Sequence, residues 1–249
     1  MKKRKKSFPK ITVLLLAASA VLLVGSGVGS ARAALTYYSE NYSAQMNMQS
    51  IGVSLVENDA VVSSRDYVSD NEWSGTTEGT LLANMLGEDE KFTPGKRYDE
   101  AISVKNSGNI DTFVRVILTR SWQDAEGKKN TSLSPDLIEL NYLTDNGWVI
   151  AEDQSTPERT VLYYTKELPV GETTPALSDT IRVNESIAQD VTKQVDGNTI
   201  RYTYKYDGYS FHVDAEVDAV QTHNAQEAIK SAWGVDVSVN DDETVMSLQ

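Results

Sequence analysis

One stretch constrains the fold more than any other. In YSFHVDAEVDA the residues Tyr209, Phe211, Val213, Ala215, Val217 and Ala219 alternate with His212, Asp214, Glu216 and Asp218. Apolar and polar residues change places at every step, which is the period of a β-strand with one buried face. Shorter runs repeat the pattern. Ile51, Val53 and Leu55 alternate with Gly52 and Ser54, Ile102 alternates with Val104, and Val114, Val116 and Leu118 alternate with Arg115, Ile117 and Thr119. TVLYYTKEL and LSDTIRV flank PVGETTP, a turn cluster that predicts a hairpin. Asp207-Gly208 predicts a second, two-residue hairpin joining Ile200–Tyr206 to Tyr209–Ala219.

Helical spacing is rare. Ala225, Ala228, Ile229, Ala232 and Trp233 form one apolar stripe over a predicted helix. Asn224 suits its N-cap, Glu227 a capping box and Gly234 its C-terminal cap. Short helices are also expected in TLLANMLGED and ESIAQDVTKQ. Many strands and no alternation of strand and helix predict an all-β chain. The expected architecture is an antiparallel, jelly-roll-like β-sandwich with one short C-terminal amphipathic helix and few other short helices.

The N-terminus reads differently. MKKRKKSFPK carries six positive charges, an uncharged apolar run follows, and Ala31-Arg32-Ala33 places small residues where a signal peptidase cuts. Residues 1–33 are therefore expected to be a secretory signal, cleaved between Ala33 and Ala34. A retained anchor is the alternative, and the uncleaved signal is the only membrane contact expected. Residues 34–238 are expected to form a single β-sandwich domain and residues 239–249 an acidic flexible tail.

Loss of the signal removes seven of the 23 Lys and Arg and leaves 16 against 36 acids, a formal charge of −20. Such a surface repels phosphates, so nucleic acid is not an expected partner. There is no cysteine, which excludes disulfides and thiolate chemistry. Asn41, Asn130 and Asn184 open Asn-x-Ser/Thr sequons, which matter only in a glycosylating pathway.

Four stretches together, GSARAALTYYSE, TPGKRYDEAISVKNSGNIDTFVRVIL, TPERTVLYYTKEL and DAVQTHNAQEAIKSAWGVDVS, resemble the TasA/camelysin family of exported bacterial proteins with SipW-type signal peptides. The resemblance implies a jelly-roll sandwich, secretion, and a structural role in fibres of the extracellular biofilm matrix. Implied partners are other copies of the chain, further matrix or cell-surface proteins, and the signal peptidase. It also implies that the first segment of the mature chain is donated as a strand to the next subunit. Residues 34–47 suit that role, because Tyr37, Tyr38 and Tyr42 are strand formers and the segment lacks Pro and Gly. In VKNSGNIDTFVRV, Gly108 is expected to permit a tight connection, Asn106 and Asp111 to bond backbone there, and Arg115 to pair with an acid on a neighbouring strand.

No enzyme motif stands out. HExxH, GxSxG, P-loop and GxGxxG are all absent. No cofactor is expected. His212, Asp214 and Glu216, projecting from one strand face, are the candidate metal ligands, with Ca2+ the ion that acids would favour. A solvated acidic face is the competing explanation. His223 is expected to sit at the helix entrance rather than to do chemistry. The alternative function is a monomeric secreted adhesin or glycan-binding sandwich, with Trp73, Trp122 and Trp148 as stacking rings and Trp148, after the DNGW turn, as the exposed one. A metallopeptidase ranks last.

Overall fold

The computed structural model describes residues 50–69, 72–73, 79–196 and 199–249, together with Ile11. Met48–Gln249 makes one compact unit by itself. Among the described residues of this unit it is an all-β structure of antiparallel sheets with one α-helix, as the alternating sequence predicts.

The first sheet runs β3 (Glu72–Trp73), β2 (Ala60–Ser69), β1 (Gly52–Glu57), β5 (Ile102–Asn106). Asn58 and Asp59, both with positive φ, make the tight turn between β1 and β2. The second sheet runs β14 (Ser210–Gln221), β6 (Thr112–Gln123), β10 (Arg159–Tyr164), β9 (Trp148–Ile150), with β7 (Lys129–Asn130) on the end of β6. A third runs β4 (Arg97–Asp99), β11 (Ser178–Val183), β8 (Ile138–Tyr142). Leu55, Val104, Val116, Leu118, Leu140, Leu162 and Ile181, drawn from all three sheets, meet in one core.

Strand β6 is buried on both faces, which explains its nearly continuous apolar run FVRVIL. Val114, Val116 and Leu118 enter the main core. Phe113 turns the other way, into a second cluster with Val161, Tyr163, Ala225, Ile229 and Met246. Helix α1 (Ala225–Trp233) and the hairpin of β15 (Val237–Val239) with β16 (Met246–Leu248) cover that outer face. The C-terminal residues are therefore not a flexible tail. Met246 is fully buried, and its burial holds the last strand down.

Two predicted hairpins are not formed. β14 pairs with β6 over its whole length, and β13 (Thr199–Tyr204) pairs instead with β12 (Val191–Asp196). The apolar faces of β14 and β6 coincide, Phe211 against Trp122, Ala215 against Leu118 and Val217 against Val116. That long match outweighs the local Asp207-Gly208 turn signal, and the chain instead bends through residues 205–208. Likewise β10 and β11 lie in different sheets. The PVGETTP segment crosses between them along the free side of β5, where Asn106, Val104 and Ile102 exchange backbone hydrogen bonds with Gly171, Glu172, Thr174 and Leu177.

Of the predicted short helices, TLLANMLGED forms only turns, and ESIAQDVTKQ yields a 3-10 turn (Glu185–Ala188) followed by β12. Helix α1 stands where predicted, and Gly234 ends it with φ +72°. Its N-terminus departs from the predicted capping box. Asn224 is left-handed with no side-chain cap, and its N–H donates to Glu243 Oε1 at 3.0 Å.

Gly108 is required by close approach. A Cβ there would stand 2.5 Å from Ser50 O and 2.6 Å from Gly52 N. Asn106 is buried, donates to Ile110 O (2.8 Å) and Leu168 O (2.9 Å), and accepts from Gly108 N (2.9 Å). Asp111 Oδ1 accepts from Val170 N at 2.9 Å. Among the described residues no helix is long and apolar enough to cross a membrane.

Candidate assembly edge

The sheets end in edges of different kinds. β5 is covered by the 171–177 crossing, and β9 is three residues long. β14 is twelve residues long, and among the described residues it pairs on one side only, with β6. Its outer side presents a long row of backbone groups without a strand partner, a template for another strand.

Next to its C-terminal half lies an open groove of about 410 Å³. Ile51, Val53, Val217, Ala219, Ala232 and Trp233 give it apolar walls, and Glu216 and Asp218 give it acid. Asp218 is tied down. Arg115 on β6, directly opposite it in register, donates from Nε to Asp218 Oδ2 at 3.0 Å. The same guanidinium lies over the Trp233 ring, 5.1 Å from its centroid, and Tyr163 packs on Trp233 at 5.6 Å. Strand, sheet and helix are thus locked together at the groove. The sequence-based expectation that Arg115 pairs with an acid is met, with Asp218 as the partner.

The candidate metal ligands are not gathered. His212 Nε2 stands 2.9 Å from Asp214 Oδ1, but alternate residues of a strand step about 7 Å apart. Among the described residues no group of three or more His, Asp or Glu is placed to hold a metal ion. His212, Asp214 and Glu216 form a solvated row along β14, the competing explanation. His223 is exposed, with Nδ1 3.5 Å from Glu243 Oε2 at the start of α1.

The aromatic candidates also move. Trp148 is fully buried rather than exposed, and its Nε1 donates to Pro175 O at 2.8 Å. The crossing segment lies over it, which the local DNGW turn does not reveal. Trp122 is buried too and donates to Ser134 O at 2.8 Å. The Trp73 side chain, and Ala33, Ala34, Tyr37, Tyr38 and Tyr42, lie outside the described residues.

One pair escaped the sequence reasoning. Glu57 and Glu100 are both buried, at 5% and 1% exposure. Their carboxyl groups lie within hydrogen-bonding reach of each other. Glu57 Oε1 also accepts from Leu82 N at 2.6 Å, whereas among the described residues neither Glu100 oxygen meets an N–H or hydroxyl donor. Burial, then the neighbouring Glu57 charge, pushes the Glu100 carboxyl up to about 8. Parity was the available signal. Glu100 falls on the same face as Ile102 and Val104, and Glu57 on that of Val53 and Leu55.

Compared with known proteins, the chain matches no family model, no curated protein and no solved structure.

Proposed function

We propose that this chain is a secreted structural protein of an extracellular biofilm matrix, in the manner of the TasA/camelysin family, and that it works by self-association rather than catalysis. The observation that carries the reading is the twelve-residue edge of β14, which among the described residues has a strand partner on one side only. A strand from another copy laid along it would gain main-chain hydrogen bonds, and the apolar groove beside it would take alternate side chains. Residues 34–47 are the proposed donor, freed by cleavage of residues 1–33. Because donor and acceptor differ, the contact is head-to-tail and builds an open fibre rather than a closed dimer.

The tyrosines of the donor segment supply the side chains, and the lack of Pro and Gly keeps it competent to pair. The sequence signals for export and the family-like stretches point to an extracellular setting. The monomeric adhesin alternative loses its main support, since Trp148 is enclosed.

Electron microscopy of the chain beginning at Ala34, with and without residues 34–47, tests the reading. Fibres from the longer form and none from the shorter are expected. Persistent monomers from the longer form, across pH and calcium, would overturn it.

A further inference from the structure

Among the described residues the hairpin of β12 and β13 belongs to no larger sheet. Every residue of both strands is exposed. Its register pairs Val191 with Tyr204, Lys193 with Tyr202 and Val195 with Ile200. Those three pairs share one face, while Thr192, Gln194, Asp196, Thr199, Arg201 and Thr203 share the other. The hairpin is therefore amphipathic, yet its apolar face is open to solvent. Val195 is 64% exposed, Ile200 52% and Tyr202 54%. A two-stranded hairpin is marginal in water by itself, and an apolar patch of this kind marks an interaction surface.

Charge indicates the occupant. The chain as a whole holds 36 acids against 23 basic residues, so most pairs of surfaces on two copies repel. The docking face of the hairpin departs from that balance, since it carries no acid and its one charge is Lys193. Two acidic molecules can meet there with little repulsion. A receptor of matching character lies at its foot, an open apolar pocket of about 450 Å³ ringed by Phe92, Trp122, Ile187, Tyr206, Tyr209 and Phe211. Ile187 lies just before β12 and Tyr206 just after β13, so projection and pocket are neighbours on one surface. A two-fold axis beside them would seat each hairpin in the other copy's pocket at once.

We propose that the β12–β13 hairpin docks its apolar face on a second copy of this chain, in the aromatic pocket at the foot of that copy's hairpin, and reciprocally. The contact is closed and two-fold, unlike strand donation at β14. It joins two free subunits, or two neighbouring fibres side by side, and does not depend on residues 34–47.

The absence of cysteine makes the test clean. Ile200→Cys protein is mixed with Ser210→Cys protein, Ser210 being on the pocket rim, and oxidised mildly. Disulfide-linked heterodimer is expected to form about tenfold or more faster than with Ser247→Cys, on the C-terminal hairpin, as the control partner. In sedimentation, the parent chain should dimerise with rising concentration. The Val195→Asp, Ile200→Asp double variant should stay monomeric at unchanged Tm, since both side chains are already in water. The same dimer should form from the chain beginning at Met48, which cannot donate residues 34–47. Loss of fibres with retention of this dimer, or the reverse, separates the two readings. A crosslinking rate equal to the control, or a double-Asp variant that dimerises like its parent, would overturn the proposal. So would a parent that stays monomeric at high concentration while its hairpin captures an anionic polymer such as polyglutamate.

Discussion

The carboxyl groups of Glu57 and Glu100 face each other in the interior of the protein, each more than nine-tenths buried. Two charges at this spacing in a dry site are costly, so a proton stays on Glu100 up to about pH 8. Glu57 in turn holds the N–H of Leu82, whose φ of +66° is unusual for a leucine. The acid pair thereby anchors the loop that follows residue 79.

Stability should depend on this pair with a definite sign. The folded value of Glu100, about 8, lies above the ordinary 4.5. The folded state binds the extra proton between those values, so this contribution is full below about pH 4.5 and is lost as pH rises through about 8. Tm should fall between pH 6 and pH 9 in the parent. Glu100→Gln, which supplies a neutral donor to Glu57, should flatten that fall, which corresponds to about 2–3 kcal/mol of unfolding free energy. An equally steep fall in the variant would count against the pair.

Arg115 and Asp218 should matter beyond an ordinary surface ion pair. The Arg115 side chain is only 12% exposed and stacks on Trp233. Asp218→Ala leaves that guanidinium without its partner and should cost about 2 kcal/mol in urea unfolding. Added salt should change the cost little, because the pair is partly shielded from solvent.

Gly108→Ala should be among the more damaging single-methyl changes in the chain. The new Cβ meets backbone atoms of Ser50 and Gly52, which cannot swing aside like a side chain. A loss of about 2 kcal/mol or more is expected, measured by thermal unfolding. Gly127→Ala offers the comparison, since nothing lies within 4 Å of a Cβ there and only its φ of +76° resists the change.

Truncation after Asn240 should destabilise the unit. It removes Met246 from the cluster beneath α1 and unpairs β15. Met246→Ala alone should cost about 2–4 kcal/mol by the same measurement. A silent truncation would match a mobile tail instead.

Blocking the groove should stop assembly without unfolding the subunit. Ala232 is an exposed residue of α1 that lines the groove. Ala232→Arg fills it and places a cation beside Glu216. Fibre yield from the chain beginning at Ala34 should collapse, with stability changed by no more than about 0.5 kcal/mol. Undiminished fibres would remove the groove from the assembly contact.

Alternation along the chain determined which residues of β14, β6 and β5 turn inward, and helical spacing determined α1 with its glycine stop. These are local properties, decided by the pleat and by the 3.6-residue turn. The parity of Glu100 with Ile102 and Val104 carried the same signal, but not that Glu57 would be its neighbour. Pairing was not legible. Asp207-Gly208 and PVGETTP both signal hairpins, yet the chain passes from one sheet to another at each, because a turn favours a neighbour only weakly against twelve matched positions on β6. Trp148 likewise looks exposed in its own turn and is enclosed by Pro175, distant in sequence. Tertiary structure alone decided which edge is left without a strand partner among the described residues, because an edge is defined by the strands that do not come to cover it.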